Sequence, residues 1–105
     1  KLMDAVTSFA GRAEEGKAVA AICAAPSILA DLGLLAGKKA TCNPCVESFL
    51  DEHGAKLTYC RVTVDGNLIT SQGMGTAIAF GLAIVEYLKD HVAAKELAAK
   101  ILYRP

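Results

Sequence analysis

The sequence predicts an α/β fold, and three observations carry that reading. Hydrophobic residues make up 53% of the 105 positions but aromatic ones only 6%, which points to a core of Ala, Val, Leu and Ile. Residues 17–22 lead through an unbroken small apolar run to Cys23, with Pro26 just beyond. A strand buried on both faces reads this way, and proline fits the first turn of a helix, where its missing N–H costs nothing. A second strand-to-helix turn, Gly73-Met74-Gly75-Thr76, follows the short apolar stretch 68–71.

The elements follow in order. Leu2, Met3, Val6 and Phe9 recur at helical spacing while Asp4, Arg12, Glu14 and Glu15 turn elsewhere, so residues 1–15 read as an amphipathic helix ended by Gly16. Residues 17–22 are the buried strand. Ile28, Leu29, Leu32 and Leu35 mark one face of a second helix that stops around residues 33–37, and residues 38–41 form a short strand. Cys42-Asn43-Pro44-Cys45 is a turn, because a residue before proline is biased away from helix. Val46, Phe49 and Leu50 give a brief helix before His53-Gly54. Tyr59, Arg61 and Thr63 alternate with Cys60, Val62 and Val64 at strand period, and Asp65-Gly66 is a two-residue hairpin signal leading to the next strand. Ile78, Leu82 and Val85, with Phe80, Ile84 and Leu88, make a helix apolar on most sides, which is expected to be buried. Asp90 caps a last helix running through Ala93, Leu97, Ile101 and Leu102 to near Pro105. No repeat, low-complexity tract or linker divides the chain.

Charge excludes several functions. Eleven basic and eleven acidic residues cancel, so no basic patch directs the chain to nucleic acid or to an anionic membrane. No apolar run approaches the roughly 20 residues that span a bilayer, and no signal-peptide pattern opens the chain, so a soluble cytoplasmic protein is expected. Four cysteines in such a setting are expected to be reduced thiols.

The chemistry centres on Cys23. A side chain on a sharp strand-to-helix turn, a nucleophile elbow, points out of the carboxyl edge of the sheet. There it lies over a helix N-terminus, whose free N–H groups and dipole favour a thiolate. The same N–H groups, near Ala24, can receive an oxyanion. Ala21, Ala24 and Ala25 supply the room that such a turn needs. The alternative is a structural core cysteine, a common fate for free thiols but one that rarely falls at an elbow. Gly73 and Gly75 read both as backbone punctuation and as functional positions.

The stretch Ala-Ala-Ile-Cys-Ala-Ala-Pro, followed about fifty residues on by Leu68-Ile69-Thr70-Ser71-Gln72-Gly73-Met74-Gly75-Thr76, resembles the ThiJ/PfpI superfamily, in particular its Parkinsonism-associated deglycase-like branch. The resemblance runs from the first helix to about Leu88. It implies a three-layer α/β sandwich with a mainly parallel sheet, flavodoxin-like and similar to class I glutamine amidotransferases. It also implies that residues 1–105 are the C-terminal half of one domain. The N-terminal half, which brings further strands and an acidic residue beside the cysteine, is then outside this sequence, either as a cleaved, associated chain or through truncation, and composition does not choose between the two. Lys1 in place of an initiator methionine fits that expectation.

In the resemblance Cys23 is the nucleophile or oxidisable centre, and Ser71 and Gly73 form a wall of its pocket. Asn43 stands where several relatives have a histidine, and asparagine cannot titrate, so a Cys-His pair is not expected. Methionine at position 74, where relatives often have proline, makes the wall softer and more oxidisable. His53 and His91 read as solvated surface histidines. Cys42 and Cys45 form a Cys-x-x-Cys whose zinc and thioredoxin-like readings are weak: four ligands are not at hand, and no strand-to-helix context follows the pair. The pair reads as ordinary loop thiols or, if its loop covers the pocket, as a source of a thiol that resolves oxidised Cys23.

The expected function is a cysteine-dependent glyoxalase or deglycase acting on small aldehydes, dicarbonyls or their adducts, with no metal and no cofactor, in a homodimer. The alternative is an oxidative-stress sensor or chaperone-like protein that uses Cys23 without turnover. A protease or amidase is disfavoured for want of a nearby histidine.

Overall fold

The computed structural model describes residues 17–104. The helix expected over residues 1–15 lies outside them. β1 (Val19–Ile22) runs into a turn and α1 (Pro26–Asp31), with proline in the first turn as its chemistry requires. β2 (Lys39–Ala40) precedes a three-residue 3-10 turn (Pro44–Val46), α2 (Glu47–Glu52) and β3 (Lys56–Leu57). β4 (Val62–Asp65) and β5 (Leu68–Ser71) form a hairpin; a second 3-10 turn (Met74–Thr76), α3 (Ala77–Leu88) and α4 (His91–Lys100) complete the order. Asp90 caps α4 as expected, its Oδ1 accepting the Ala93 N–H at 2.7 Å.

One sheet has the order β1-β5-β4, with β1 parallel to β5 and β5 antiparallel to β4; β2 and β3 form a separate parallel pair. The crossover from β1 to β5 sets Ile22 opposite Ser71, so the elbow after β1 and the turn after β5 open at the same end. All four residues of β5 are buried, as befits the central strand.

The two sheets are joined by polar groups rather than by a ladder. The Lys39 N–H donates to Asp65 Oδ2 at 2.8 Å, the buried Thr41 N–H to Thr70 Oγ1 at 2.9 Å, and Thr41 Oγ1 to the Cys60 carbonyl at 2.6 Å. Each buried donor is thereby satisfied, which avoids about 1–3 kcal/mol per orphaned group. Leu35, Leu50 and Ile69 are fully buried, and Ala30, Ala40 and Cys42 fill between the elements.

Four expectations need correction. The hairpin turn is one residue later than expected: Asp65 pairs with Leu68, so Gly66 and Asn67 make the turn, and Gly66 takes the left-handed position at φ 61°. The strand expected from Tyr59 begins only at Val62, because Tyr59 itself is left-handed at φ 59°. α1 ends at Asp31 rather than running on to Leu35. Leu32 caps it, and Gly33 at φ 78° turns the chain away. α3 has no buried residue: Ile78 and Leu88 are 53% and 65% exposed, although the helix is apolar nearly all round. Among the described residues it packs against β5, β4, β1 and α4.

Candidate functional site

The elbow forms because the chain must leave the sheet and enter α1 within three residues. Cys23 makes that bend in the left-handed region at φ 66°, where a side chain other than glycine costs about 1–2 kcal/mol. Both of its backbone polar groups are tied. The Cys23 N–H donates to the Ser71 carbonyl at 3.1 Å, and the Cys23 carbonyl accepts the Asn43 N–H at 2.8 Å. The Ala25 N–H returns to the Ile22 carbonyl at 3.1 Å, which closes the turn. Such a constellation holds a strained residue in place.

Asn43 is fixed by the turn that it caps. Its extended backbone (φ −62°, ψ 139°) is what a residue before proline favours, and its Oδ1 accepts the Cys45 N–H at 3.0 Å. The other end of the same carboxamide, Nδ2, lies 3.7 Å from Cys23 Sγ. Alternation along the segment sends Cys42 the opposite way, into the core, where it is fully buried. Burial, together with the negative charge of Glu47 and the neighbouring Cys45 thiol, pushes the Cys42 thiol up to about 11. Cys42 is therefore no loop thiol, whereas Cys45 is exposed.

Ser71 does a different task from the one expected. It is fully buried, with Oγ donating to the Arg61 carbonyl at 2.6 Å and sharing a 2.6 Å hydrogen bond with Thr76 Oγ1. Its backbone carbonyl, not its side chain, reaches Cys23. Gly73 is expected as pocket wall and does stand beside Asn43: a Cβ added to Gly73 would sit 3.9 Å from Asn43 Nδ2. Its N–H donates to Thr76 Oγ1 at 3.1 Å, and its carbonyl accepts the Thr76 N–H at 2.9 Å. Thr76 and the Arg61 carbonyl, which nothing in the composition singled out, are thus the latch that sets this turn. A threonine three residues after a turn glycine was the available signal.

Ala24 is exposed, and its carbonyl accepts the Ser27 N–H at 3.0 Å and the Ser27 hydroxyl at 2.7 Å. Its own N–H has no hydrogen-bond partner among the described residues. Cys23 is half-buried, so its sulfur is neither fully solvated nor sealed in the core. Among the described residues no three His, Cys, Asp or Glu side chains gather to hold a metal ion.

His53 departs from the expected surface histidine: it is half-buried, with Nδ1 2.8 Å from the Phe49 carbonyl and its ring stacked 4.1 Å from that of Phe49. His91 is exposed, with Nδ1 3.6 Å from Glu86 Oε2. No helix of the described residues is long and apolar enough to cross a membrane.

A parallel strand that delivers a cysteine to a strained, doubly tied elbow at the open end of the sheet defines an α/β protein with a cysteine at a strand-to-helix turn. The comparisons with known proteins specify which. A profile of the DJ-1/PfpI family matches residues 1–87, and the chain belongs to that family. Protein DJ-1alpha of Drosophila melanogaster is 42% identical over 93 residues, covering 87% of this chain and 43% of that protein. The crystal structure of Drosophila melanogaster DJ-1beta superposes with a TM-score of 0.85 at 36% identity, covering 98% of this chain and 54% of the other. Two relatives carry activities in their names. Glutathione-independent glyoxalase DJR-1.2 of Caenorhabditis elegans is 38% identical and Deglycase TK1284 of Thermococcus kodakarensis 36%, each over 76 residues and 72% of this chain, and over 40% and 46% of those proteins. The chain thus spans less than half the length of each of these curated relatives.

Proposed function

We propose that this chain supplies the cysteine side of a glyoxalase- or deglycase-type enzyme acting on small reactive dicarbonyls or their early adducts, with Cys23 as the nucleophile. The observation that supports it most is the strained elbow: φ 66° at a cysteine held by the Ser71 carbonyl and the Asn43 N–H, beside an unpartnered Ala24 N–H. Strain of this kind persists where position matters more than stability. The glyoxalase and deglycase named among the relatives agree with it.

In this reading the Cys23 thiolate adds to an aldehyde carbon. A C–S bond forms, the carbonyl π pair moves to oxygen, and the Ala24 N–H steadies the resulting oxyanion of the hemithioacetal. Asn43 Nδ2 steadies the sulfur. Moving the proton on that carbon needs a base, which Asn43 cannot be. A carboxylate from a segment equivalent to the other half of the relatives fills that role, and the protein works as a homodimer. The exposed Ile78 and Leu88 on α3 give these additions apolar surface to cover.

Methylglyoxal consumption by the complete protein tests the reading. Wild type consumes it, and Cys23→Ala falls to the uncatalysed background. Consumption that survives Cys23→Ala overturns the assignment. One observation favours a second reading: the side chain against Cys23 is an amide donor without a titratable proton. A sensor that only oxidises needs no more than that. No turnover in either protein, with peroxide modification of Cys23 retained, selects the sensor.

A further inference from the structure

Oxidation of Cys23 has a second consequence, set by what the Asn43 carboxamide joins. One end of that amide, Nδ2, is 3.7 Å from Cys23 Sγ, and the other end, Oδ1, holds the Cys45 N–H at 3.0 Å. A single side-chain amide therefore links the Cys23 sulfur to the Cys45 backbone, and it belongs to the residue that caps the short turn Pro44–Val46. The backbone tie from the Asn43 N–H to the Cys23 carbonyl, 2.8 Å, holds the residue that precedes the turn against the elbow.

We infer that Cys45 is the resolving thiol of Cys23, so that mild oxidation by a hydroperoxide ends in a reversible Cys23–Cys45 disulfide. The Cys23 thiolate attacks the peroxide O–O bond, takes one oxygen as sulfenic acid and releases hydroxide. The Cys45 thiolate then attacks that sulfur, the S–S bond forms and hydroxide leaves. Overall two thiols and one hydrogen peroxide give one disulfide and two waters. This rests on the reactive Cys23 of the preceding subsection.

The other two cysteines are excluded on geometry. Cys42 is adjacent in sequence but fully buried on the opposite side of the segment. Cys60 is exposed, but its sulfur lies 3.6 Å from the Thr58 carbonyl and its N–H is held by Thr58 Oγ1 at 3.2 Å, and no hydrogen bond among the described residues links it to Asn43 or Cys23. Cys45 alone combines exposure with a direct link to the amide that touches Cys23. A disulfide needs Cα atoms about 4.4–6.8 Å apart. Pro44 and Cys45 are exposed while Val46 packs against the core, so release of the Asn43 cap lets Cys45 turn in toward Cys23 with Val46 as the anchored end.

Peptide mapping of the complete protein after hydrogen peroxide, with free thiols blocked by N-ethylmaleimide and trypsin used without reductant, tests this. Trypsin places Cys23 in 18–38, both Cys42 and Cys45 in 40–56, and Cys60 in 57–61; fragmentation at the Asn43–Pro44 bond separates Cys42 from Cys45. The expected result is 18–38 joined to 40–56 through Cys45, reversed by dithiothreitol. In Cys45→Ser the joined peptide is lost and Cys23 sulfinate takes its place. Since Cys45 is on the surface, that variant folds. Linkage through Cys42 or Cys60, or equal sulfinate yields in wild type and Cys45→Ser with no linked peptide, overturns the inference while leaving Cys23 reactive. A Cys23 that resists both peroxide and iodoacetamide overturns the reactive-cysteine reading and this inference with it.

Discussion

The left-handed backbone of Cys23 makes a stability prediction that separates position from packing. At φ 66° any residue with a Cβ carries about 1–2 kcal/mol that glycine does not. Glycine in turn gives up about 0.5–1 kcal/mol through the greater freedom of its unfolded chain. At the middle of the two ranges, about 1.5 less about 0.75, Cys23→Gly is more stable than Cys23→Ala by about 0.75 kcal/mol. Neither variant keeps the sulfur, so its loss cancels between them. Cys23→Val lies below both, since a β-branched side chain tolerates this region least. Urea unfolding of the complete protein, followed by far-UV circular dichroism, reads the order directly. With a slope of about 1–3 kcal/mol per molar, the glycine midpoint sits a few tenths of a molar, and at most about 1 M, above the alanine one. Alanine equal to or above glycine would show that the elbow stores no strain, and the inference from strain to function would go with it. The order Gly > Ala > Val, with activity absent from all three, is the signature of a residue kept for chemistry at the expense of stability.

Three further outcomes follow from other parts of the fold. Cys42 carries a thiol raised to about 11 in the folded chain, above its ordinary 9.0. The stability it contributes is full below about pH 9 and is lost as pH climbs through 11, so alkaline unfolding of Cys42→Ala, followed by fluorescence or circular dichroism, should be shallower over that window than that of wild type. Equal pH dependence would contradict burial of this thiol. Thr70→Val removes the acceptor of the buried Thr41 N–H and should lower stability by about 1–3 kcal/mol in the same urea assay, whereas a change within 0.5 kcal/mol would mean that the two sheets are not joined through this bond. Asn43→His puts a titratable ring against Cys23. The iodoacetamide alkylation rate of Cys23 should then acquire a step near pH ~6.5 that wild type lacks, and an unchanged profile would place residue 43 out of reach of the sulfur.

The elbow and the strand leading to it were readable because their signals are local: a small apolar run, a thiol, and a proline two residues beyond Ala24 that can only sit at a helix start. The hairpin was readable to within one residue. Its turn moved because Asp65, the expected turn residue, has its carboxylate engaged by the Lys39 N–H and pairs with Leu68 instead. β3 has two residues and no alternation to detect; it exists because the Lys56 N–H and the Thr58 N–H find the Lys38 and Ala40 carbonyls at 2.8 and 3.0 Å. The surroundings of His53 were misread for a similar reason, since its ring partner Phe49 is one helical turn away and its neighbours in sequence are polar. Burial of α3 was the largest error. Apolar residues on every face say that a helix will be covered, but what covers it is a long-range fact that no window of twelve residues contains.

The same distinction explains how the site divides its labour. Everything that positions Cys23 comes from backbone: the Ser71 carbonyl, the Asn43 N–H and the register that sets Ile22 against Ser71. Backbone ties of this kind survive side-chain replacement, so the elbow can stay fixed while residue 43 varies. Proton transfer depends on side chains, and among the described residues the side chain within hydrogen-bonding reach of the Cys23 sulfur is one amide at 3.7 Å. Positioning and acid–base chemistry are therefore separable in this protein. Asn43→His tests one side chain against an unchanged frame, and Cys23→Gly tests the frame with the side chain removed. Cys23→Gly removes the sulfur that Asn43 Nδ2 faces at 3.7 Å, so non-additivity of the two perturbations measures that direct contact together with whatever the Asn43 cap on Cys45 adds to the shape of the elbow.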